Sequence, residues 1–321
     1  MKFLALAVTV SLAALVAAAP LTRSQIEDLR LVNDPRRIQE LNSRPGQTWT
    51  AGVNPRFEGM TVGQAKALLG VKFDSAAKVN CTHTPALDYN EAAAPASFDC
   101  RTQWPKFIHP IRDQGQCGSC WAFAAAESFS DRLAIATNGS TNEVLAPQEL
   151  VSCDDKGEDQ GCDGGYPGDA FDYLQHTGLP TEACYKYASG DGDTGTCKKT
   201  CHDGSAKKME KLKSWKYVVG EDAMIAAVQD GPVAVAFAVY NDFFNYVSGV
   251  YKADKTSGLA GYHAVKMLGY GEEKSTKVCF GLGFRVFIGF LRADLFFSTG
   301  PLPTLGPPRG ATRATSTLSE A

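Results

Sequence analysis

The sequence predicts an α+β protein of two lobes, with a helical lobe followed in the chain by a β-rich lobe. Residues 118 to 180 carry the apolar spacing of buried helices, as in the run that begins at Trp121. From about Trp215 onward the pattern changes to alternating and β-branched runs, notably Val233 to Tyr240 and Ala264 to Tyr270. A chain of 321 residues is long enough to form two packed lobes with a cleft between them.

Charge and the first residues narrow the class of function. The formal net charge of -3 offers no basic surface, so nucleic acid is not an expected partner. Lys2 precedes an apolar run from Phe3 to Val16 and then three alanines, which fits a signal peptide cut near Ala18. That run is too short to anchor the chain stably in a bilayer. We therefore expect entry into the secretory pathway and no membrane partner.

Two further boundaries follow from the residues between the signal peptide and the main domain. Ser24 to Asn42 has the charges and apolar positions of one amphipathic helix. The small residues that follow Glu91 indicate a flexible linker, which places a maturation cut near Ala92 to Ala94. The predicted units are a signal peptide at 1–19, a segment at 20–93, a main domain at 94–277 and an aberrant or disordered tail at 278–321.

The strongest chemical signal is the run Gln114-Gly-Gln-Cys-Gly-Ser-Cys-Trp, matched far downstream by His263-Ala-Val. Gly118 and Ser119 are small and tolerate a turn, so Cys120 is predicted to lie on the first turn of a helix and to face a cleft. A helix N-terminus and a nearby imidazolium both stabilise a thiolate. These residues predict a nucleophilic thiol whose partner comes from a distant part of the fold.

Ten cysteines in an exported chain indicate disulfides, although two other interpretations need weighing. Cys117 and Cys120 with Cys197 and Cys201 could form a zinc cluster, but no further metal signal accompanies them. Cys117 and Cys120 could also form a redox pair, but no thioredoxin-like βαβ pattern surrounds them. No metal and no cofactor are expected.

The active-site run resembles that of papain-type cysteine proteases, and more narrowly that of the cathepsin B-like branch. The resemblance continues in order from about Trp49 to about Gly271. It includes Pro95-Ala-Ser-Phe-Asp with Trp104-Pro105, Gly161-Cys-Asp-Gly-Gly-Tyr-Pro, the run from Gly231 to Tyr240, the run from Asp242 to Tyr251, and the run from Gly261 to Gly271. It implies a papain-like two-lobe fold, with a helical left lobe at about 94–183, a β-rich right lobe at about 184–277 and the active site in the cleft between them.

The resemblance also implies a role for each catalytic residue. Cys120 attacks the peptide carbonyl, and His263 acts as general base and then as general acid. Gln114 supplies a side-chain N–H to the oxyanion, together with the backbone N–H of Cys120. The alternatives are that Cys120 is one more disulfide half and Gln114 a solvated loop residue. A lone histidine before an apolar run is usually structural, but the residues around His263 and the matching upstream motif favour catalysis.

Substrate-binding positions follow from the same resemblance. Gly164 and Gly165 match paired glycines that let an extended substrate bond to the backbone, although glycines also simply form turns. Ala236 or Ala238 lies on the strand that shapes the pocket for the second substrate residue before the cleaved bond. Asn80 and Asn138 begin glycosylation sequons, a pattern that also arises by chance.

The resemblance further implies a disulfide pairing and a blocking segment. The implied pairs are Cys117 with Cys162, Cys153 with Cys197, and Cys184 with Cys201, which leaves Cys120 free. Cys81, Cys100 and Cys279 receive no partner. Residues 20–93 resemble a propeptide that lies through the cleft and inhibits the enzyme, the alternative being an ordinary N-terminal subdomain.

The chain departs from the family pattern near its end. Papain-like proteases orient the catalytic histidine with an Asn in an Asn-Ser-Trp-Gly motif about 20 residues later, but no Asn or Trp follows His263. After about Lys277 the resemblance stops abruptly, so the closing strands are expected to be missing. Three explanations stand: a frameshift or retained intron, which the abruptness favours, a truncated pseudoenzyme, or a divergent working terminus.

A second departure concerns specificity. Between Cys184 and Cys201 the chain lacks the adjacent histidines of the cathepsin B occluding loop, so endopeptidase cleavage with little removal of C-terminal dipeptides is expected. The predicted function is a cysteine endopeptidase made as a secreted or lysosomal zymogen and working in reducing, mildly acidic conditions. Its expected partners are protein or peptide substrates, its own propeptide and cystatin-like inhibitors, and a monomer is expected. The alternative is a catalytically impaired binding protein with the same fold.

Overall fold

The computed structural model of the chain describes residues 20–72, 94–155, 158–218, 221–273, 276–281, 284–287 and 297–298. The predicted signal peptide, the linker with Asn80 and Cys81, and most of the tail lie outside these ranges. The helices are α1 (Arg23–Asp28), α2 (Pro35–Asn42), α3 (Val62–Lys66), α4 (Cys100–Gln103), α5 (Cys120–Ala136), α6 (Pro147–Cys153), α7 (Pro167–His176) and α8 (Glu221–Val228). The strands are β1 (Trp49–Ala51), β2 (Phe98–Asp99), β3 (Tyr217–Val218), β4 (Val233–Tyr240), β5 (Tyr246–Gly249), β6 (Leu259–Glu273), β7 (Thr276–Gly281), β8 (Phe284–Phe287) and β9 (Phe297–Ser298).

The helical lobe is built around α5. All residues of this helix except the last two are buried, because its alanines and aromatic residues pack into the core and its buried charges, such as Asp131 and Arg132, have partners inside the protein. Helices α6 and α7 pack on it, with Leu150, Phe171 and Leu174 in the shared core. Inside the described ranges, three disulfides stabilise this lobe and its loops: Cys117–Cys162, Cys153–Cys197 and Cys184–Cys201.

The β-rich lobe is an antiparallel sheet with the long strand β6 at its centre. Strand β4 lies along the first part of β6, with Phe237 opposite His263, while β7 lies on the other side, with Cys279 opposite Tyr270. Strand order is β3-β9-β4-β6-β7-β8, and β2 adds to β6 beyond the start of β4. Alternating small and large residues in β4 allow one face to pack on α5 and the other on the lobe's own core.

Residues 20–72 form an N-terminal segment that docks on the β-rich lobe and then runs into the cleft. Strand β1 pairs with β5, and Trp49 packs 5.2 Å from the ring of Tyr251, measured between centroids. Next along the chain, α3 buries Val62 and Ala65 against the core of the β-rich lobe. Beyond α3 the chain becomes extended between the two lobes.

Two expectations about local structure are wrong. The predicted helix from Ser24 to Asn42 is broken into α1 and α2, because Pro35 excludes a helical conformation at the preceding residue and Asp34 instead caps α2. The closing strands are not all absent, since β7 and β8 continue the sheet beyond Lys277. Val278 and Cys279 are buried there, and their β-branched and apolar character suits a strand that packs on a core.

Within the described ranges, no helix combines the length and the apolar character that crossing a bilayer requires.

Candidate active site

Cys120 lies where the sequence predicts it, at the start of α5, and is almost fully buried under the N-terminal segment. Burial raises the pKa of its thiol to about 11, and the backbone N–H groups of Ala264 and Gly70 offset this only in part. Ala264 belongs to the neighbouring lobe and Gly70 to the N-terminal segment. The Cys120 thiol therefore sits at the junction of three parts of the chain and is protonated at neutral pH.

His263 lies on β6 beside Cys120, and the two line the same cavity between the lobes. Its ring meets that of Phe237 edge-on at 6.1 Å between centroids. Within the described part of the chain, its Nδ1 atom is buried and has no hydrogen-bond partner. Burial lowers the pKa of the imidazole to about 4, so His263 is neutral above mildly acidic pH. The pair is consequently a thiol beside a neutral imidazole, and not yet a thiolate–imidazolium pair.

Gln114 reaches the site from the loop before α5. Its Nε2 donates to the carbonyl of Leu68 at 2.9 Å and to the carbonyl of Cys117 at 2.7 Å. Leu68 belongs to the N-terminal segment, so the amide that the resemblance assigns to an oxyanion already binds a carbonyl oxygen.

Of the two glycines predicted to bind substrate, Gly165 bonds to the same segment, while Gly164 bonds to Gly161 and Gln160 in its own loop. Gly165 donates to the carbonyl of Gly70 at 2.8 Å and accepts from the N–H of Lys72 at 2.9 Å. A side chain at Gly165 would lie 2.6 Å from ring atoms of Trp121, and Gly164 has a φ of 104°, which disfavours any other residue. Both positions therefore favour glycine, and the backbone of Gly165 is paired with the extended chain around Gly70 and Lys72.

The remaining predicted residues fall into distinct environments. Ala236 is buried in the core, whereas Ala238 is half-buried opposite Tyr262. Asn138 is exposed in the turn after α5, with Ser140 also exposed. The structure joins the cysteines in the pairs that the resemblance implies, and because Cys117, Cys197 and Cys201 lie in disulfides, they cannot form the zinc cluster. Within the described residues, Cys100 and Cys279 are buried free thiols.

Sequence reasoning missed a group of charged residues, two of which, Glu127 and Lys266, line the same cavity as Cys120 and His263. Lys266 Nζ lies 2.8 Å from Asp131 Oδ2 and 3.7 Å from Glu127 Oε2. His109 Nδ1 lies 2.7 Å from the other oxygen of Asp131. These residues join α5 to β6 at the base of the cleft. Asp131 and Lys266 are spaced unremarkably in the sequence, so only the fold reveals that they meet.

The fold and the site together define a cysteine protease of two lobes with its cleft occupied by its own N-terminal segment. Residues 94–280 match the family described as "Papain family cysteine protease", and the chain belongs to that family. It is 39% identical over 248 residues to cathepsin B-like CP2 of Giardia intestinalis, covering 75% of this chain and 79% of that protein. It is 34% identical over 277 residues to a cathepsin B-like cysteine proteinase of Schistosoma japonicum, covering 74% of this chain and 78% of that protein.

A solved structure agrees with this assignment. The chain resembles proCathepsin B S9 from Trypanosoma congolense with a TM-score of 0.74 and 26% sequence identity, over 85% of this chain and 100% of that one. That protein is a proform. The chain is thus similar to the cathepsin B-like branch in sequence and to a proform in structure.

Proposed function

We propose that this chain is the zymogen of a cysteine endopeptidase, in which residues 20–93 are the propeptide. The observation that carries the proposal is that the run from Leu68 to Lys72 bonds to Gln114, Cys120 and Gly165 together. The Leu68 carbonyl accepts from the Gln114 amide, and the Gly70 N–H bonds to the Cys120 sulfur. The same run bonds to the backbone of Gly165. A peptide substrate needs these same groups, so the segment and a substrate exclude each other.

Removal of the segment would allow Cys120 and His263 to form a reactive thiolate–imidazolium pair. Water would then reach Cys120 and His263, and the desolvation that separates their pKa values would be relieved. The proton of the thiol would pass to the imidazole, and the thiolate would attack the substrate carbonyl to form an acyl-enzyme. Gln114 Nε2 and the N–H of Cys120 would stabilise the oxyanion, and His263 would protonate the leaving amine before water releases the acyl group.

The second candidate function is a pseudoenzyme that keeps the fold and the cleft. Its support is the buried Nδ1 of His263, which lacks a hydrogen-bond partner within the described residues, and the absence of any Asn after that histidine. Loss of orientation alone leaves residual catalysis, because the nucleophile, the base and the oxyanion donors stay in place. We therefore favour a weakened enzyme over an inactive one.

The remaining features of the proposal follow from sequence and fold together. Residues 1–19 direct export, cleavage near Ala92 to Ala94 releases the domain that begins at residue 94, and the mature enzyme acts in a lysosome or outside the cell as a monomer. Cystatin-like inhibitors would enter the emptied cleft. Endopeptidase cleavage is expected because no histidine pair lies in the loop from Cys184 to Cys201.

The test is labelling of Cys120 by an epoxysuccinyl thiol inhibitor after maturation at mildly acidic pH with a reducing agent. An active enzyme is expected to be labelled at Cys120, to hydrolyse internally quenched peptides and to leave C-terminal dipeptides largely in place. The Cys120→Ser variant is the control for labelling. Absence of both labelling and hydrolysis in the matured, folded chain would support the pseudoenzyme instead.

A further inference from the structure

The Tyr187 hydroxyl stands at the centre of a hydrogen-bond chain that joins Gln114 to Ser119, the residue just before Cys120. This hydroxyl donates to the main-chain carbonyl of Gln114 at 2.7 Å and lies 2.8 Å from the Oγ atom of Ser119. A phenol has one proton and a carbonyl can only accept, so Ser119 must be the donor to Tyr187. The order is Ser119 to Tyr187 to Gln114. One hydroxyl thereby connects the loop that carries the oxyanion amide with the residue just before Cys120.

The Ser119 hydroxyl makes this bond and does not cap the N-terminus of α5. Ser119 occupies the N-cap of α5, where a serine hydroxyl usually accepts from the first turn of the helix, yet no such capping bond is present. Ser119 is fully buried, so its hydroxyl must find a partner inside the protein. The N–H groups of Ala122 and Phe123 donate instead to the Ser119 main-chain carbonyl. Because the hydroxyl bonds to Tyr187, it does not compete for the N–H groups of Cys120 and Trp121, which face the Cys120 sulfur.

The Tyr187 ring is itself held in place. The backbone N–H of Tyr187 donates to Glu182 Oε1 at 2.8 Å, and the same oxygen lies 2.6 Å from Arg112 Nη2. The Arg112 guanidinium lies 5.3 Å from the centre of the Phe123 ring, and Phe123 in turn meets Tyr187 edge-on at 4.7 Å. Burial raises the pKa of Tyr187, so its hydroxyl keeps the proton that it donates.

We propose that Tyr187 is a positioning residue for the oxyanion hole, holding the Gln114 loop and the start of α5 at a fixed separation. This proposal rests on the proposed protease function. Tyr187 touches neither Cys120 nor His263 through any of these bonds, so its effect reaches the reaction only through Gln114 and Ser119. An oxyanion forms only during acylation and deacylation. Loss of the hydroxyl should therefore slow peptide hydrolysis without weakening substrate binding.

The first experiment compares Tyr187→Phe with Tyr185→Phe in the matured enzyme. Tyr185 is a matched control, because its hydroxyl also bonds to main-chain groups, at Thr196 and Lys198, but reaches neither Gln114 nor Ser119. For Tyr187→Phe we expect kcat to fall about tenfold with KM unchanged, less than the loss of 100-fold or more when an oxyanion donor is removed outright.

Alkylation of Cys120 by iodoacetamide needs the thiolate but no oxyanion, so its rate should stay within about twofold of wild type. Wild-type kcat in Tyr187→Phe, or an equal loss of hydrolysis and alkylation, would overturn the proposal. A tenfold loss in Tyr185→Phe as well would also overturn it.

The second experiment works on the proform and needs no activity. Gly115, Gln116 and Gly118 each donate a backbone hydrogen bond that holds the loop, so amide hydrogen exchange over residues 113–119 reports its rigidity. We expect exchange to be about tenfold faster in Tyr187→Phe and unchanged in Tyr185→Phe, which corresponds to loss of a bond of ordinary strength. Unchanged exchange in Tyr187→Phe overturns the proposal even if the wild-type enzyme cannot hydrolyse peptides. Failure of the protease function alone would instead show as faster exchange without activity.

Discussion

Substitution of Gly70 by Ala tests whether the N-terminal segment is the block on the cleft. A Cβ atom built at Gly70 would overlap the carbonyl oxygen of Gly118 and lie 3.0 Å from its Cα atom. Both obstacles are backbone, which cannot rotate away, so the segment must withdraw. Withdrawal would break the bond from Gly165 N–H to the Gly70 carbonyl at 2.8 Å and that from Lys72 N–H to the Gly165 carbonyl at 2.9 Å.

The expected size of the effect follows from these two bonds. Each backbone hydrogen bond contributes about 1 kcal/mol net, so Gly70→Ala should weaken docking by about 2 kcal/mol, a factor of about 30 in the population of the open form. Labelling of Cys120 in the uncleaved proform requires that open form. Its rate should therefore rise by about 30-fold, measured by mass spectrometry with an epoxysuccinyl inhibitor and with maturation blocked by neutral pH and short reaction times.

Gly59→Ala is the matched control for this experiment. Gly59 lies in the same segment and has a φ of 72°, so the substitution introduces strain, but no atom lies within 4 Å of the added Cβ. It should destabilise the segment locally without displacing it from the cleft. If Gly70→Ala is folded and is labelled no faster than Gly59→Ala, the segment does not hold the site closed in the way argued here.

Three further outcomes are expected. The imidazole of His263 has a lowered pKa in the closed form, so the closed form loses stability as pH falls from about 6.5 toward 4. His263→Gln should flatten that part of the pH dependence of thermal unfolding. An unchanged slope would contradict the role given to His263. Lys266→Met leaves the carboxylate of Asp131 buried with reduced compensation and should cost about 3–5 kcal/mol in chemical denaturation. Lys208→Met, at an 86% exposed side chain, should leave stability unchanged, and similar losses in both variants would refute the argument. Asn138→Gln should remove one glycan mass from protein secreted by a eukaryotic host, and an unchanged mass would show that the sequon is unoccupied.

Local chemistry in the sequence was enough to predict where Cys120 lies in the fold. A thiol after two small residues at a helix start needs little context, and Cys120 is found on the first turn of α5. The division into a helical and a β-rich lobe also follows from periodicity, because α5 and β4 differ plainly in apolar spacing. The break between α1 and α2 could have been predicted from Pro35, but the amphipathic pattern alone did not show it.

Contacts between distant parts of the chain could not be predicted in this way. Tyr187 lies 68 residues from Ser119 and 73 from Gln114, and no spacing rule connects them. The pairing of Lys266 with Asp131 spans 135 residues and depends on how β6 lies against α5. Strands β7 and β8 were missed for a different reason. Their sequence departs from the family, but a strand needs only suitable side chains and a neighbouring edge.

In the proposed zymogen, inhibition by the N-terminal segment and catalysis depend on the same polar groups. The amide of Gln114 and the backbone of Gly165 bond to the N-terminal segment now and would bond to a substrate later. Substitutions at these residues must therefore alter inhibition and turnover together, and neither effect can be assigned from them alone. Gly70 belongs only to the segment, whereas the Tyr187 hydroxyl bonds to Gln114 and Ser119, which both lie outside it. Gly70→Ala should consequently open the site without changing the mature enzyme, while Tyr187→Phe should slow the mature enzyme through the oxyanion alone, so that the two variants separate the block from the chemistry.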